Sequence, residues 1–296
     1  MQLVFFLVFA QIFYYAYRWV ISYFSEKVDI KRRFGCDWVL ITGASSGVGK
    51  HLTFLLAKQK INIIGVGRSG QKLNEVKNEV EKLGCQFRPI CGDLCNIETV
   101  DHIMNEISDL DVGVYVLNAG YPVIGQLSGI NDEVINSYVN CMGISLQLIC
   151  KKIYQRNKDR KYPSAIYCTS SIAADYVFPL CSLYGSLKSL MSSFVVRFSK
   201  EIENSCISIT ALHPGLITES GFFSSLPPFL RWVSSLSLLF QNSESVAEII
   251  VSTLGSDTLI DCGFTTILVR VFSWLFGKFN DYVILICYRL ADVYFK

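Results

Sequence analysis

The chain has 296 residues, enough for one large α/β domain with no need of a second. Its 27 basic and 25 acidic residues leave a formal net charge of +2, too little to build the electrostatic field that recruits nucleic acid, and that class of partner is excluded. A hydrophobic share of 51% and a mean hydropathy of +0.37 exceed those of an ordinary soluble domain, so part of the surface is expected to meet lipid.

Residues 1–17 carry no charge. As a helix they would reach roughly 25 Å, close to the thickness of a bilayer core, and snorkelling of Arg18 would extend the segment to Phe24. Tyr14, Tyr15, Tyr17, Trp19 and Tyr23 form an interfacial aromatic belt, not the small-residue end of a cleaved signal, so residues 1–24 are predicted to be an uncleaved membrane anchor. A helix lying along the membrane or packed on the protein is the alternative. Lys27, Lys31, Arg32 and Arg33 follow in a basic linker, residues 25–36, and the positive-inside rule places the remainder on the cytosolic side. The 11 cysteines agree with that compartment: they are odd in number and contain no Cys-x-x-Cys, and they read as free thiols. His51, His102 and His213 do not stand at ligand spacing from them, so no zinc site is expected.

From residue 37 to 258, short β-branched runs alternate with longer amphipathic stretches. Strands are predicted at 38–42, 61–66, 87–90, 112–117, 165–169 and 207–212, with helical patterns such as 72–83 and 183–202 between them. This alternation predicts a doubly wound parallel sheet of the Rossmann type. From residue 259 to 296 the composition turns apolar, interrupted by Arg270, Lys278, Asp281 and Arg289, which predicts amphipathic C-terminal helices at a membrane interface.

Directly after the first strand comes Thr42-Gly43-Ala44-Ser45-Ser46-Gly47-Val48-Gly49-Lys50, a glycine turn that opens a helix. Gly43 permits the tight turn, Gly47 lets backbone amides approach a pyrophosphate, and Gly49 allows close packing of helix on strand. Ser45, Ser46 and Val48 complete a cradle in which an anion meets the helix N-terminus. The second strand ends in Gly65-Val66-Gly67-Arg68-Ser69, with Arg68 where an NAD site holds a carboxylate. A guanidinium there grips a 2′-phosphate, which favours NADP(H); a solvated surface arginine is the plainer alternative.

Further along, Tyr184 and Lys188 stand four residues apart and share a helix face. An ammonium beside a phenol stabilises the phenolate, so the tyrosine pKa is expected to fall and the group to exchange a proton with a carbonyl or alcohol. Ser170 and Ser171 precede them.

With the glycine turn, this set resembles the short-chain dehydrogenase/reductase family over about residues 38–219. The resemblance implies a homodimeric oxidoreductase with catalytic Asn140, Ser171, Tyr184 and Lys188, Ser171 being thirteen residues before the tyrosine. It implies cofactor contacts from Asp93 in Gly92-Asp93-Leu94, from Asn118 in Asn118-Ala119-Gly120, from Tyr184 and Lys188, and from Ile217 and Thr218 in the segment beginning His213-Pro214-Gly215. Some positions depart from the family pattern: Leu117 replaces a frequent asparagine, Thr218 comes one place early, and Gly185 and Leu187 are unusual between the catalytic pair.

Trp38, Gly49-Lys50, Asp111-Val112-Gly113-Val114 and Phe178-Pro179-Leu180 look like the membrane-bound very-long-chain 3-oxoacyl-CoA reductases and their 17β-hydroxysteroid dehydrogenase relatives. That implies a keto-lipid substrate, a membrane partner and the endoplasmic reticulum, with Phe222, Phe223 and Trp232 in an apolar lid over the substrate. A 3-ketodihydrosphingosine reductase is the alternative enzyme, and a membrane scaffold that binds nucleotide without turnover is the alternative of another class.

Overall fold

The computed structural model describes residues 25–218 and 240–276, together with the isolated positions 10, 13, 14, 17 and 289. Seven strands form one parallel sheet: β1 (Trp38–Thr42), β2 (Asn62–Gly67), β3 (Phe87–Cys91), β4 (Val112–Leu117), β5 (Ser164–Thr169), β6 (Ile207–Pro214) and β9 (Leu259–Cys262). Their order is β3-β2-β1-β4-β5-β6-β9, so the chain reverses direction across the sheet between β1 and β4. A short parallel ribbon pairs β7 (Leu216–Ile217) with β8 (Phe240–Gln241). The helices are α1 (Ile30–Phe34), α2 (Gly47–Lys58), α3 (Gly70–Lys82), α4 (Glu98–Glu106), α5 (Asp132–Val139), α6 (Ser145–Asn157), α7 (Ser182–Glu201), α8 (Ser243–Thr253) and α9 (Phe264–Phe276).

The alternation of side chains along each strand sorts the core into two layers. Val39, Ile41, Ile63 and Val116 pack with Leu52 and Leu56 of α2 and Val246 and Ile250 of α8. Leu40, Ile64, Tyr115 and Ile166 pack on the other face with Ile149 of α6 and Met191 of α7. Helices therefore cover both faces, as a parallel sheet requires. Edge strand β3 tolerates Arg88 and Pro89, whereas every residue of β4 and β5 is buried.

A bulge at Gly113 corrects the parity of β4. Trp38 pairs with Val112 and Val39 with Val114, so Gly113 is extra, and Val112 and Tyr115 reach the same layer although three residues apart. A Cβ at Gly113 would lie 2.8 Å from Cys36 Sγ, which explains why this position is a glycine.

Two expectations are corrected. Residues 25–36 are not a linker: Asp29 caps α1 by accepting from the Arg32 amide, and Ile30 and Phe34 are fully buried in the core. The basic residues are spent on local partners, Lys27 on Glu248, Lys31 on Asp37 and Arg33 on the Gly255 carbonyl. Residues 259–262 do not open the C-terminal helices but form β9, registered on β6 from Ala211↔Leu259 to Pro214↔Cys262. Four residues are too few for periodicity to tell strand from helix, and the unpaired edge of β6 decides the matter.

Among the described residues no helix is long and apolar enough to cross a membrane. The predicted anchor lies almost wholly outside the described residues, as do the predicted lid, residues 221–240, of which Phe240 alone is described, and most of the chain after residue 276. Ten cysteines among the described residues are free thiols.

Arg160 ties α1 to the sheet. It donates to the carbonyls of Phe34, Gly35 and Pro163 at 2.6, 3.0 and 2.9 Å and grips Asp111 with Nε and Nη2. Arg160→Met should lower unfolding free energy by roughly 2–4 kcal/mol, since part-buried carbonyls lose their donor. Chemical denaturation measures this, and a loss below about 0.5 kcal/mol would show that the docking of α1 does not depend on Arg160.

Candidate active site

The reversal between β1 and β4 opens a crevice at the carboxyl ends of the strands, where an open α/β sheet binds its ligands. The turn after β1 rises into it. Gly43 and Gly47 adopt positive φ of 72° and 49°, and a Cβ at Gly49 would stand 2.3 Å from the Gly43 carbonyl oxygen. Only glycine allows α2 to start so close to the turn. Ser46 precedes α2 without a side-chain cap, which leaves the amides of its first turn directed at the crevice. The end of β4 pins the turn: the Asn118 and Ala119 amides both donate to Thr42 Oγ1 at 3.0 Å, and Asn118 Nδ2 donates to the Thr42 carbonyl.

Beside the turn lies a cavity of about 200 Å³ that gathers Ser45, Ser46, Arg68 and Asp93. Arg68 stacks on the Tyr121 ring, 5.5 Å from its centroid. The Asp93 carboxylate accepts from the Cys95 amide and so shapes the loop after β3. Sequence reasoning passed over Lys72, Ser69 and Tyr121 in the same wall. Ser69 caps α3 by accepting from the Lys72 amide, which brings a second cation to the Arg68 side. The available signal was a lysine in the first turn of the helix that follows Arg68.

The second group forms where β5 meets α7. Ser171 caps a 3₁₀ turn, Ile172–Ala174, and its Oγ accepts from the Ala173 amide. Tyr184, on the first turns of α7, lines one cavity together with Ser171, whose hydroxyl favours the phenolate. Lys188, one turn on, is 4% exposed, lies 5.7 Å from the Tyr184 ring centroid and donates to the Thr169 carbonyl at 2.6 Å. Ser170 is turned the other way and donates to the Lys188 carbonyl, which leaves Ser171 as the serine beside the phenol. The unusual Gly185 has a steric reason, because a Cβ there would come within 3.0 Å of the Ala173 carbonyl oxygen.

Asn140 begins a π-helical segment, Asn140–Ile144, between α5 and α6, and its Nδ2 donates to the Cys95 carbonyl. Such an interruption reorients backbone groups and is frequent at functional sites. Ile217 lines a cavity of about 100 Å³ with Ser171, Tyr184, Phe178, Cys181 and Leu216. Thr218 is instead committed to β8: its amide and hydroxyl both donate to the Gln241 carbonyl, at 2.9 and 3.3 Å.

The electrostatics differ from expectation at one point. Burial pushes the Tyr184 phenol above its ordinary pKa and outweighs the effect of the Ser171 hydroxyl, so no lowering is seen. Burial pushes Lys188 the opposite way, down to about 8. Both follow from desolvation, which disfavours phenolate and ammonium alike. At neutral pH the phenol holds its proton.

The short chain dehydrogenase family profile matches residues 37–228. The 17-beta-hydroxysteroid dehydrogenase type 3 of Rattus norvegicus is 26% identical over 237 residues, 77% of this chain and 72% of that protein. The Mus musculus form is 29% identical, over 60% of this chain and 59% of its own. The very-long-chain 3-oxoacyl-CoA reductase of Mus musculus is 28% identical over 190 residues, 61% of this chain and 59% of that protein. The match thus spans less than two thirds of the length of either mouse protein. Among solved structures, a 7beta-hydroxysteroid dehydrogenase superimposes with a TM-score of 0.77 at 19% identity, covering 88% of this chain and 99% of its own. The L-sorbose reductase of Gluconobacter frateurii, complexed with NADPH and L-sorbose, gives 0.70 at 20% identity, covering 80% and 97%. These likenesses carry the fold.

The buried ammonium predicts a trade between stability and use. A lysine whose folded pKa is depressed penalises the fold fully below that pKa, and the penalty is relieved as pH rises from about 8 towards the ordinary value of 10.5. At neutral pH it amounts to about 3 kcal/mol. Lys188→Met should therefore raise the melting temperature at pH 7 and lose that advantage above pH ~10.5. A variant melting below the parent at pH 7 would show that the bond to Thr169 outweighs the desolvation.

Proposed function

The chain belongs to the short-chain dehydrogenase family, and on that premise we propose that it is an NADP(H)-dependent oxidoreductase that reduces a keto group on a lipid. The observation that carries this reading is the placement of Tyr184 between Ser171 and Lys188 on the wall of a small apolar cavity. The glycine cradle suits a pyrophosphate, since Gly43, Ser45 and Ser46 line a cavity at the start of α2, whose first turn has no side-chain cap. Gly43, Ser45, Ser46, Gly47, Val48 and Gly49 would hold that group, with Asp93 and Asn118 along the crevice and Ile217 and Thr218 at its far end. Arg68, with Lys72 beside it, would take a 2′-phosphate.

When bound, NADPH supplies the hydride. Tyr184 gives its phenolic proton to the carbonyl oxygen, and Ser171 orients that oxygen by a hydrogen bond. The Lys188 ammonium stabilises the phenolate left behind and would hold the ribose of a bound cofactor. Asn140 completes the path that returns the proton. The raised pKa of Tyr184 supports the acid role, because the proton is in place at neutral pH.

For the substrate we favour a long-chain 3-oxoacyl thioester, with a steroid ketone second. Ile172, Phe178, Leu216 and Ile217 offer an alkyl chain apolar walls, each methylene buried contributing up to about 0.8 kcal/mol. The names of the relatives agree with either substrate. The uncharged residues 1–17, and Leu268, Phe272 and Trp274 exposed on α9, support attachment to a membrane, for which we propose the endoplasmic reticulum with the domain facing the cytosol. Ile144, Leu190 and Val196, exposed near and along the helices that carry Asn140 and Tyr184, support a homodimer through those helices.

Tyr184→Phe should lower turnover by ~10²–10⁴-fold with NADPH affinity retained. The assay uses detergent-solubilised protein and a panel of 3-oxoacyl thioesters of increasing length, 3-ketodihydrosphingosine and steroid ketones. Efficiency should rise with acyl length. More than a tenth of the parental rate in the variant would mean that another group donates the proton, and a strong preference for 3-ketodihydrosphingosine would reassign the substrate. Cofactor binding without turnover of any ketone would favour the scaffold.

Fluorescence titration tests the cofactor. NADPH should bind more tightly than NADH by roughly 1.5–3 kcal/mol, and Arg68→Asp should erase that margin. Equal affinities in the parent would overturn the preference.

A further inference from the structure

Among residues 264–274 of α9 the single formal charge points inward. Arg270 is 15% exposed, whereas Leu268, Phe272 and Trp274 on the same helix are 46%, 36% and 42% exposed. A surface helix ordinarily does the reverse, so the interior must supply partners that make burial of a guanidinium favourable. Arg270 Nη2 donates to Asp175 Oδ2 and to His213 Nδ1, both at 2.8 Å, and Nε lies 2.6 Å from Asp261 Oδ2. These partners come from three different elements, two of which run into the lining of the apolar cavity. Asp175 follows the turn capped by Ser171, His213 precedes the Pro214–Ile217 wall of the apolar cavity, and Asp261 lies in β9.

The contact with His213 also gives a direction to a buried chain of hydrogen bonds. A guanidinium has only donors, so at 2.8 Å the Nδ1 atom must accept and the ring proton sits on Nε2. The Asp175 and Asp261 carboxylates stand farther from the same nitrogen, at 3.3 and 3.6 Å. Nε2 then donates to Ser192 Oγ at 2.8 Å, Ser192 donates to Ser170 Oγ at 2.7 Å, and Ser170 donates to the Lys188 carbonyl at 3.0 Å. Each link has one orientation left. His213, Ser170, Ser192 and Lys188 are all buried.

We propose that Arg270 is a positioning residue: through this chain and its two carboxylate partners it fixes the Ser171 turn and the Lys188 turn of α7 relative to each other, so that the site is complete only when α9 is docked. The catalytic part of this statement rests on the roles proposed above for Ser171, Tyr184 and Lys188. The docking part does not. Without Arg270, the Asp261 carboxylate is left buried beside the cavity wall without its main counter-charge, and His213 is free to take the other tautomer.

The test uses the full chain in detergent and two independent readouts. Ser192→Ala interrupts the chain without touching a charge, and Ser170→Ala interrupts it one link on. Each should lower kcat roughly tenfold with NADPH affinity unchanged, and the double variant should fall no further than either single, because a chain broken twice loses nothing more. Losses that multiply, or no loss, would overturn the proposal. Hydrogen exchange needs no turnover: Arg270→Met should speed exchange at the amides of residues 171–176 and 214–217, and protection equal to the parent's would overturn it. If the parent reduces no ketone, the functional reading fails by itself and hydrogen exchange alone decides whether α9 holds the two turns. If Arg270→Met does not fold, exchange in Ser192→Ala decides, with faster exchange at residues 188–192 as the expected result.

Discussion

A buried ammonium is the constraint around which the rest of the site is arranged. Lys188 is almost fully enclosed, in the core layer that also holds Leu187 and Met191, and a charge in such a place persists only with strong acceptors close by. The Thr169 carbonyl supplies one at 2.6 Å. That carbonyl is available because β5 ends there and the chain turns into the 3₁₀ segment capped by Ser171. The contact that makes the charge tolerable thus also sets Ser171 beside Tyr184, and the glycine at position 185 lets α7 approach closely enough for both. Removal of any of these would free the ammonium to leave, which is why they form one unit.

The sheet gives this unit its location. The reversal of direction between β1 and β4 opens the crevice, and the Asn118 and Ala119 amides on Thr42 hold the two strand ends together at its base. On one side of that point the glycine turn presents an uncapped helix N-terminus, and on the other β5 presents Ser171. The two cavities therefore flank Tyr184 and the glycine turn as a consequence of strand order.

Polar groups inside the domain are organised rather than scattered. Asn157 joins the Tyr115 hydroxyl, the Val112 carbonyl and Ser164, and the path from Arg270 to the Lys188 carbonyl crosses from α9 to the helix that carries Tyr184 and Lys188. Such networks specify a single arrangement because a half-made one is costly. In this protein they run between elements distant in sequence, so the C-terminal part of the described chain takes part in shaping the site.

The sequence by itself determined six of the seven strands of the sheet, the glycine turn and the Tyr184–Lys188 pair, because each has a short-range signature: apolar runs of strand length, glycines at fixed offsets, and a four-residue spacing on one helix face. It selected Ser171 over Ser170 through resemblance, while only the structure gave the physical cause, namely that Ser170 is drawn to the Lys188 carbonyl. It misplaced residues 25–36 and 259–262, since nothing local reveals that Ile30 and Phe34 find a core or that β6 needs a partner strand. It also left Arg270 as an interruption in an apolar tail. The three groups that bury that charge lie 9, 57 and 95 residues away, and only tertiary folding brings Asp261, His213 and Asp175 around it. Local spacing decides which elements form; long-range pairing of buried charges decides what those elements do to one another.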